Sequence, residues 1–236
     1  MNDYLLLRSP SSNRVYNDSA AELAAGELAI CAPFANNVYQ TNIAGVGYLA
    51  FTSGNIDTAL LASQSSALAL FEKIGDLLAP IALPEINIFS EDLVTIPKYQ
   101  GKTNEQFTRL LLNVTLSVVD SKPNGNRQIL DPLSGRGTTL STAWLAGHDS
   151  FGIEADEKSF EAMAAFIKTW LRRKRLKHQA KITPVRRNGK LIGKRFDAEV
   201  KTDGNDFLMT VFTGDTRDSA ELFGKKKFDA IITDAP

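Results

Sequence analysis

The stretch QILDPLSGRGTTL, residues 128–140, decides how the rest of the chain is read. Residues 128–130 read as a short strand that runs into Asp131. Pro132 and Ser134 follow, then Gly135 and Gly137 in a loop, and Thr138 and Thr139 open a helix expected to reach about residue 146. Glycines in such a loop let a ligand's polar atoms approach the backbone, and the start of the helix presents N–H groups with no partner inside the helix. A plain strand-to-helix turn uses the same glycines, so the loop by itself names no ligand. The lysine of a phosphate-binding Walker loop is absent, which argues against a nucleoside triphosphate site.

The residues downstream narrow the choice. Glu154 ends the next apolar run, FGIEAD, seventeen residues after Gly137. A carboxylate there is placed to accept both hydroxyls of a ribose lying across the strand ends. Asp215 ends the following run, VFTGDTRD, and can accept from the exocyclic amine of an adenine. A solvated strand-end carboxylate and a turn aspartate are the plainer readings of these two. A last apolar run, residues 228–233, delivers Asp234-Ala235-Pro236.

The pattern around these motifs alternates strand and helix. A helix expected over 159–176 carries Phe160, Met163, Ala164, Ile167, Trp170 and Leu171 at helical spacing. Residues 185–200 read as a hairpin turning at Asn188-Gly189, and 207–213 as another strand. Upstream, Thr103-Asn104-Glu105-Gln106 fits a capping box that opens a helix to about residue 119, followed by a loop, SKPNGNR. Alternating strands and helices predict an α/β fold with a doubly wound, Rossmann-like parallel sheet over residues 97–236. Residues 1–96 read as a small α+β domain. It has strands at 4–7 and 46–52, a helix over 20–31 capped by Ser19, and helical composition over 57–78. Pro80, Pro84 and Pro97 mark the boundary.

Composition excludes several classes. With 236 residues, 43% hydrophobic and 23% charged, the chain has the make-up of a globular protein with room for a real core. It has no apolar run long enough for a membrane span and no secretory leader, so a cytoplasmic protein is expected. Cys31 is the only cysteine and His148 and His178 the only histidines, so metal-free chemistry is expected. His148 reads as a surface residue, and Trp144 and Trp170 as core. Net charge is zero, yet twelve lysines and arginines and no acid lie between residues 168 and 195. One reading is the solvated face of a helix. The other is a footprint for a polyanion, centred on Arg172, Arg173, Lys174, Arg175 and Lys177, with LRRKRLKH (171–178) continuing the helix and Arg186 and Arg187 on the hairpin.

Residues 131–139, DPLSGRGTT, resemble the DPFxGxGT signature of class I S-adenosylmethionine-dependent methyltransferases that act on exocyclic amino groups, and ITDAP resembles their (D/N)PP(Y/F/W) catalytic signature. The order of the two motifs matches, and the resemblance spans residues 98–236. It is similar in particular to RNA methylases related to the tRNA guanosine-N2 methyltransferases, in which an RNA-binding region precedes the catalytic domain, in the position of residues 1–96. The resemblance implies S-adenosyl-L-methionine as cofactor and RNA, tRNA foremost, as partner ahead of DNA, with neither membrane nor metal. Asp131, Pro132, Ser134, Gly135 and Gly137 would line the methionine part, helped by Thr138 and Thr139, while Lys102, Thr103 and Asn104 would close over the cofactor. Glu154 would hold the ribose, Asp215 the adenine, and Asp234 the target amine, with a carbonyl of the Asp234-Ala235-Pro236 loop beside it. Ala235 departs from the family's first proline. The family's stacking aromatic would follow Pro236, and its last strands would follow that, so the resemblance implies an incomplete sheet and an open active site. A DNA adenine-N6 or cytosine-N4 methyltransferase shares the same signature, and an inactive, methyltransferase-like nucleic-acid-binding module is the reading outside enzymes.

Overall fold

The protein is mixed α/β with two sheets, seen in a computed structural model that describes residues 1–10, 14–120, 126–187 and 189–235. Residues 121–125 of the loop expected at 121–127, the turn residue Asn188 and the catalytic position Pro236 lie outside the described residues, as do the side chains of residues 14–18 and of Arg187. In chain order the elements are β1 (Asn2–Arg8), α1 (Arg14–Cys31), β2 (Asn36–Ile43), β3 (Val46–Ser53), α2 (Thr58–Ser63), β4 (Ala67–Ile74), β5 (Leu77–Ile81), α3 (Asp92–Thr95), α4 (Glu105–Ser117), β6 (Gln128–Asp131), α5 (Thr138–Leu145), β7 (Asp149–Glu154), α6 (Glu157–Arg173), β8 (Lys177–Arg187), β9 (Lys190–Lys201), β10 (Asp206–Thr213), α7 (Ser219–Phe223) and β11 (Ala230–Ile231). The chain divides into two units, Met1–Ile86 with Gln106–Val118, and Asn87–Glu105 with Val119–Pro236. The division is therefore not a single cut near residue 96: nearly all of α4 goes with the first unit.

The first unit is built on an antiparallel sheet in the order β2-β3-β1-β4-β5. Its core joins Tyr4, Leu6, Leu49, Phe51 and Leu70 of the sheet to Ala24 and Leu28 of α1. Two expectations fail here. Helix α1 begins at Arg14, so Ser19 lies within it and is not its N-cap. Residues 57–78 are not one helix. Asp57 caps only the short α2, accepting from the N–H groups of Ala59 and Leu60, and β4 and β5 then pair as a hairpin around Gly75-Asp76. Alanine and leucine suit either state, and pairing with β1, Leu6 opposite Leu70, decides it. Glu27 is buried at 2% exposure, where its carboxylate accepts from the Ser65 N–H and from the Asn113 amide of α4 at 2.7 Å. The expected capping box also fails. Gln106 donates to the Ser9 carbonyl at 3.2 Å rather than back to Thr103, whose hydroxyl points to Asp234.

The second unit holds a six-stranded mixed sheet in the order β11-β6-β7-β10-β9-β8. β11, β6, β7 and β10 run parallel, and β9 and β8 complete the sheet antiparallel. From β6 the chain steps to β7, crosses to β8 at the far edge of the sheet, returns inward through β9 to β10, and then adds β11 on the other side of β6. One face of the sheet is covered by Leu140 and Trp144 of α5, by Phe160, Met163, Ile167 and Trp170 of α6, and by Leu93 of α3. These meet Phe196, Ala198 and Val200 of β9 and Phe207, Met209 and Val211 of β10. On the other face Phe151 and Phe212 pack edge-to-face on Phe223, beside Phe228. Both tryptophans are buried, as expected.

Boundaries differ where charge dominates the local sequence. Asp156 caps α6, accepting from Ser159 N–H at 3.0 Å, so the helix starts two residues early. It ends at Arg173, not at residue 176. Arg175 adopts φ 54°, and Lys177 already belongs to β8. The hairpin is longer than expected because β8 and β9 pair from Lys177↔Lys201 onward. β11 is shorter, two residues against an expected six.

Candidate functional site

A cavity of about 350 Å³ opens at the carboxyl ends of the four parallel strands of the second unit. The β6–α5 loop forms its floor, from Asp131 through Thr139. Ile153, Glu154 and Ala155 come from the end of β7, Gly214 and Thr216 from the end of β10, and Asp234 from beyond β11. Tyr99, Gly101 and Thr103 complete the wall.

The loop owes its path to two contacts with β7. The Ser134 N–H and hydroxyl both donate to the Ile153 carbonyl, at 2.9 and 3.1 Å. Gly137 caps α5 at φ 82°, and a Cβ there would lie 3.0 Å from Met163, so it serves helix–helix approach and not the cavity lining. Gly135 has only open space where a side chain would begin. Asp131 is 3% exposed and accepts from the Leu133 N–H at 3.1 Å. Burial pushes its carboxyl above the ordinary range, against the pull of the nearby Thr233 hydroxyl, the Leu133 N–H and Thr139. The Thr233 hydroxyl acts only by proximity, since its Oγ1 makes no hydrogen bond of normal geometry. Glu154 Oε1 accepts from the Asp156 N–H at 2.7 Å. Asp234 is exposed and its Oδ2 accepts from the Thr103 hydroxyl at 3.0 Å.

Of the positions expected to bind or act, Thr103, Asp131, Pro132, Ser134, Gly135, Thr138, Thr139, Glu154 and Asp234 meet in this cavity. Lys102, Asn104, Gly137, Asp215 and Ala235 do not line it. Lys102 donates to the Val94 carbonyl and pairs with Glu105, so its charge is already matched. Asp215 is turned to Arg217, which contacts both its oxygens and holds its pKa down at about 2, while its neighbours Gly214 and Thr216 reach the cavity. Tyr99 and Arg136 were not singled out from sequence. The Arg136 guanidinium lies 4.8 Å from the centre of the Tyr99 ring, and the Tyr99 hydroxyl meets Thr138 Oγ1 at 3.1 Å. Burial raises the Tyr99 pKa, while Thr138 and Arg136 pull against it.

The basic run splits between two elements. Arg172 and Arg173 end α6, and Lys177 opens β8, with Arg175 between them; all four are exposed and without an acidic partner among the described residues. Arg186, near the far end of β8, is exposed too. Lys174 is different, since its ammonium contacts Asp92 at 2.5 Å and faces the Trp170 ring. Lys194 and Arg195 are matched by Glu157 and Glu161, and by Asp197. His148 is not a free surface group. Its Nδ1 is buried without a partner, and burial, followed by nearby Arg127, pushes its pKa down to about 4.

No protein-family model matches the chain, and no curated protein matches it. Among the described residues no group of three or more His, Cys, Asp or Glu side chains is arranged to hold a metal ion, and no helix is long and apolar enough to cross a membrane.

Proposed function

We propose that the second unit is an S-adenosylmethionine-dependent methyltransferase acting on an exocyclic amino group of a nucleobase, in RNA ahead of DNA. One observation carries the reading: a single cavity gathers the Asp131–Thr139 loop, Glu154 and Asp234, which are the cofactor loop, the ribose carboxylate and the amine-binding carboxylate of the resemblance. Its position also supports a doubly wound, Rossmann-like sheet. It lies at the carboxyl ends of the parallel strands, and strand order reverses between β6 and β11, where open α/β sheets hold their ligands. Its volume of about 350 Å³ falls within the ordinary range for small-ligand sites.

The residues fit the cofactor's charges. Asp131 is a carboxylate whose pKa is raised by burial, and a ligand ammonium beside it would favour the charged form. Glu154 has a second carboxylate oxygen with no partner among the described residues, suited to a ribose hydroxyl. Thr138, Thr139 and the start of α5 offer donors to the methionine part. When bound, S-adenosylmethionine supplies an electrophilic methyl group. The protein's own task is then the amine. The lone pair of a nucleobase amine is delocalised into the ring. A hydrogen bond from its N–H to Asp234 favours a more pyramidal nitrogen with the lone pair directed away from the carboxylate. Thr103 steadies Asp234 by donating to Oδ2, and the Ala235 carbonyl follows directly in the chain. Orientation of this kind carries large rate factors, and the proton that the nitrogen sheds on methylation would leave along the same hydrogen bond to Asp234 or to water.

The exposed arginines and Lys177 at the α6–β8 corner support a polyanionic substrate, since each neutralised phosphate releases counterions. Calorimetry with S-adenosylhomocysteine, followed by transfer of labelled methyl to tRNA and to unmethylated DNA, tests the proposal. Asp234→Ala is expected to keep homocysteine-derivative binding and lose transfer. An absence of S-adenosylhomocysteine binding by the wild-type protein overturns the reading.

A further inference from the structure

We infer that Arg136 is the selectivity residue of the cavity, reading a carboxylate on the ligand, and that Tyr99 is its positioning residue. This rests on the cofactor reading above and assigns a role that the resemblance leaves open, because Arg136 occupies one of the signature's unspecified positions.

The argument begins with charge. Asp131, Glu154 and Asp234 put three carboxylates on the cavity wall, and Arg136 is the one cation among the described lining residues. A ligand bearing an ammonium and a sulfonium suits the acids. Its α-carboxylate is repelled by every charged group there except Arg136. The guanidinium is also available. It has no carboxylate partner among the described residues, whereas Lys102, which lies in the adjoining segment, is committed to Glu105 and the Val94 carbonyl. An unpaired guanidinium keeps five N–H donors in a planar fork that matches a carboxylate in two-point contact.

Position is the second strand of the argument. A long, exposed side chain has many rotamers and reads a ligand only if something holds it. Here the Tyr99 ring lies 4.8 Å beneath the guanidinium carbon, and the Tyr99 hydroxyl is tied to Thr138 Oγ1 at the first residue of α5. Stacking satisfies the face of the guanidinium and leaves its edge, where the N–H donors lie, to the ligand. Arg136, Tyr99 and Thr138 all line the cavity, so the pair is anchored to the same loop that carries Ser134 and Gly135.

The test compares two ligands by calorimetry: S-adenosylhomocysteine and its decarboxylated analogue, which keeps the amine and lacks the carboxylate. Wild-type protein is expected to prefer the first by about 10–100-fold, the range of one charge-assisted hydrogen-bonded pair. Arg136→Met is expected to lose that much affinity for S-adenosylhomocysteine and to hold the decarboxylated ligand within about twofold, which abolishes the preference. Tyr99→Leu is expected to lose part of the same preference. Equal loss of both ligands in Arg136→Met, or loss of neither, overturns the inference and leaves the cofactor reading standing. Failure of the wild-type protein to bind either ligand overturns the cofactor reading itself. A short RNA oligonucleotide is the third arm: if Arg136→Met weakens RNA alone, the guanidinium serves a phosphate and the inference is wrong.

Discussion

Gly152→Ala tests how the cavity floor is built. A Cβ at position 152 of β7 would lie 2.9 Å from both Cβ and Oγ of Ser134 and 3.0 Å from Leu140 Cδ1. The leucine methyl can swing aside. Ser134 cannot do so freely, because its N–H and hydroxyl are both held by the Ile153 carbonyl. Two responses are open. If the loop stays, the extra methyl is overpacked, at a cost of about 1–3 kcal/mol. If the loop lifts, it forfeits two hydrogen bonds worth about 0.5–1.5 kcal/mol each, a similar total. The second unit is therefore expected to lose about 1–3 kcal/mol by either route. Lifting also moves Ser134 and Gly135 into the cavity, so S-adenosylhomocysteine should bind more weakly. Both tryptophans of the chain, Trp144 and Trp170, lie in the second unit, so urea unfolding followed by tryptophan fluorescence reads its stability without the first. The added substitution Ser134→Gly removes the opposing Cβ and should restore part of the affinity. Wild-type stability and affinity in Gly152→Ala, or no restoration in the double variant, would refute the contact as the determinant of the loop's path.

Two further predictions concern the rest of the second unit. His148 has its pKa lowered from 6.5 to about 4, so its contribution to stability is present above about pH 6.5 and lost as pH falls towards 4. The difference in tryptophan-monitored stability between wild type and His148→Gln should change across that window, and a flat difference contradicts a half-buried imidazole held neutral. Replacing Arg172, Arg173 and Arg175 by glutamate should lower RNA affinity and reduce the slope of log affinity against log salt by about 2–3, at a little under one per lost phosphate contact, with S-adenosylhomocysteine binding unchanged. Lys174 is left out because Asp92 already occupies it, and an unchanged slope removes this corner from the nucleic-acid interface.

What the sequence made legible was governed by local chemistry. The Asp131–Thr139 loop could be read because a strand, two glycines and a helix start each leave their own mark within a dozen residues. Glu154 could be placed at a strand end because the apolar run before it stops abruptly, whereas Asp234 lies three residues beyond the end of β11. Residues 57–78 were misread because their alanines and leucines favour a helix in isolation, and only pairing with β1 overrides it. The run 171–178 was misread for a related reason: lysine and arginine suit a helix, and nothing nearby foretells the positive φ of Arg175. Asp215 lies two residues past the end of β10, and the arginine two residues later captures it. The Tyr99–Arg136 pair was out of reach, since the two residues are brought together only by the folded chain. The setting of His148 was out of reach as well, because the burial of its Nδ1 depends on its surroundings in the folded unit and not on its neighbours in sequence.

The slender attachment of β11 bears on when the site exists at all. Asp234 follows a strand of two residues, held to β6 by pairing at Ala230↔Ile129 and Ile231↔Leu130, by the Asp229 and Ile232 N–H groups donating to the Gln128 and Leu130 carbonyls, and by Asp229, which receives the Gln128 N–H on its carboxylate. Those partners are about a hundred residues apart, and Thr103 and Asp234 are 131 apart. Contacts between residues so far apart in sequence need the strands between them to be in place first, so this seam is expected to form after β6 and β7 pair. The three strands β6, β7 and β10 can hold the cofactor loop and Glu154 in register while the seam is open. The floor of the cavity thus rests on three neighbouring strands, and the wall that carries Asp234 on one strand of two residues. The cofactor side of the site would then be assembled before the substrate side.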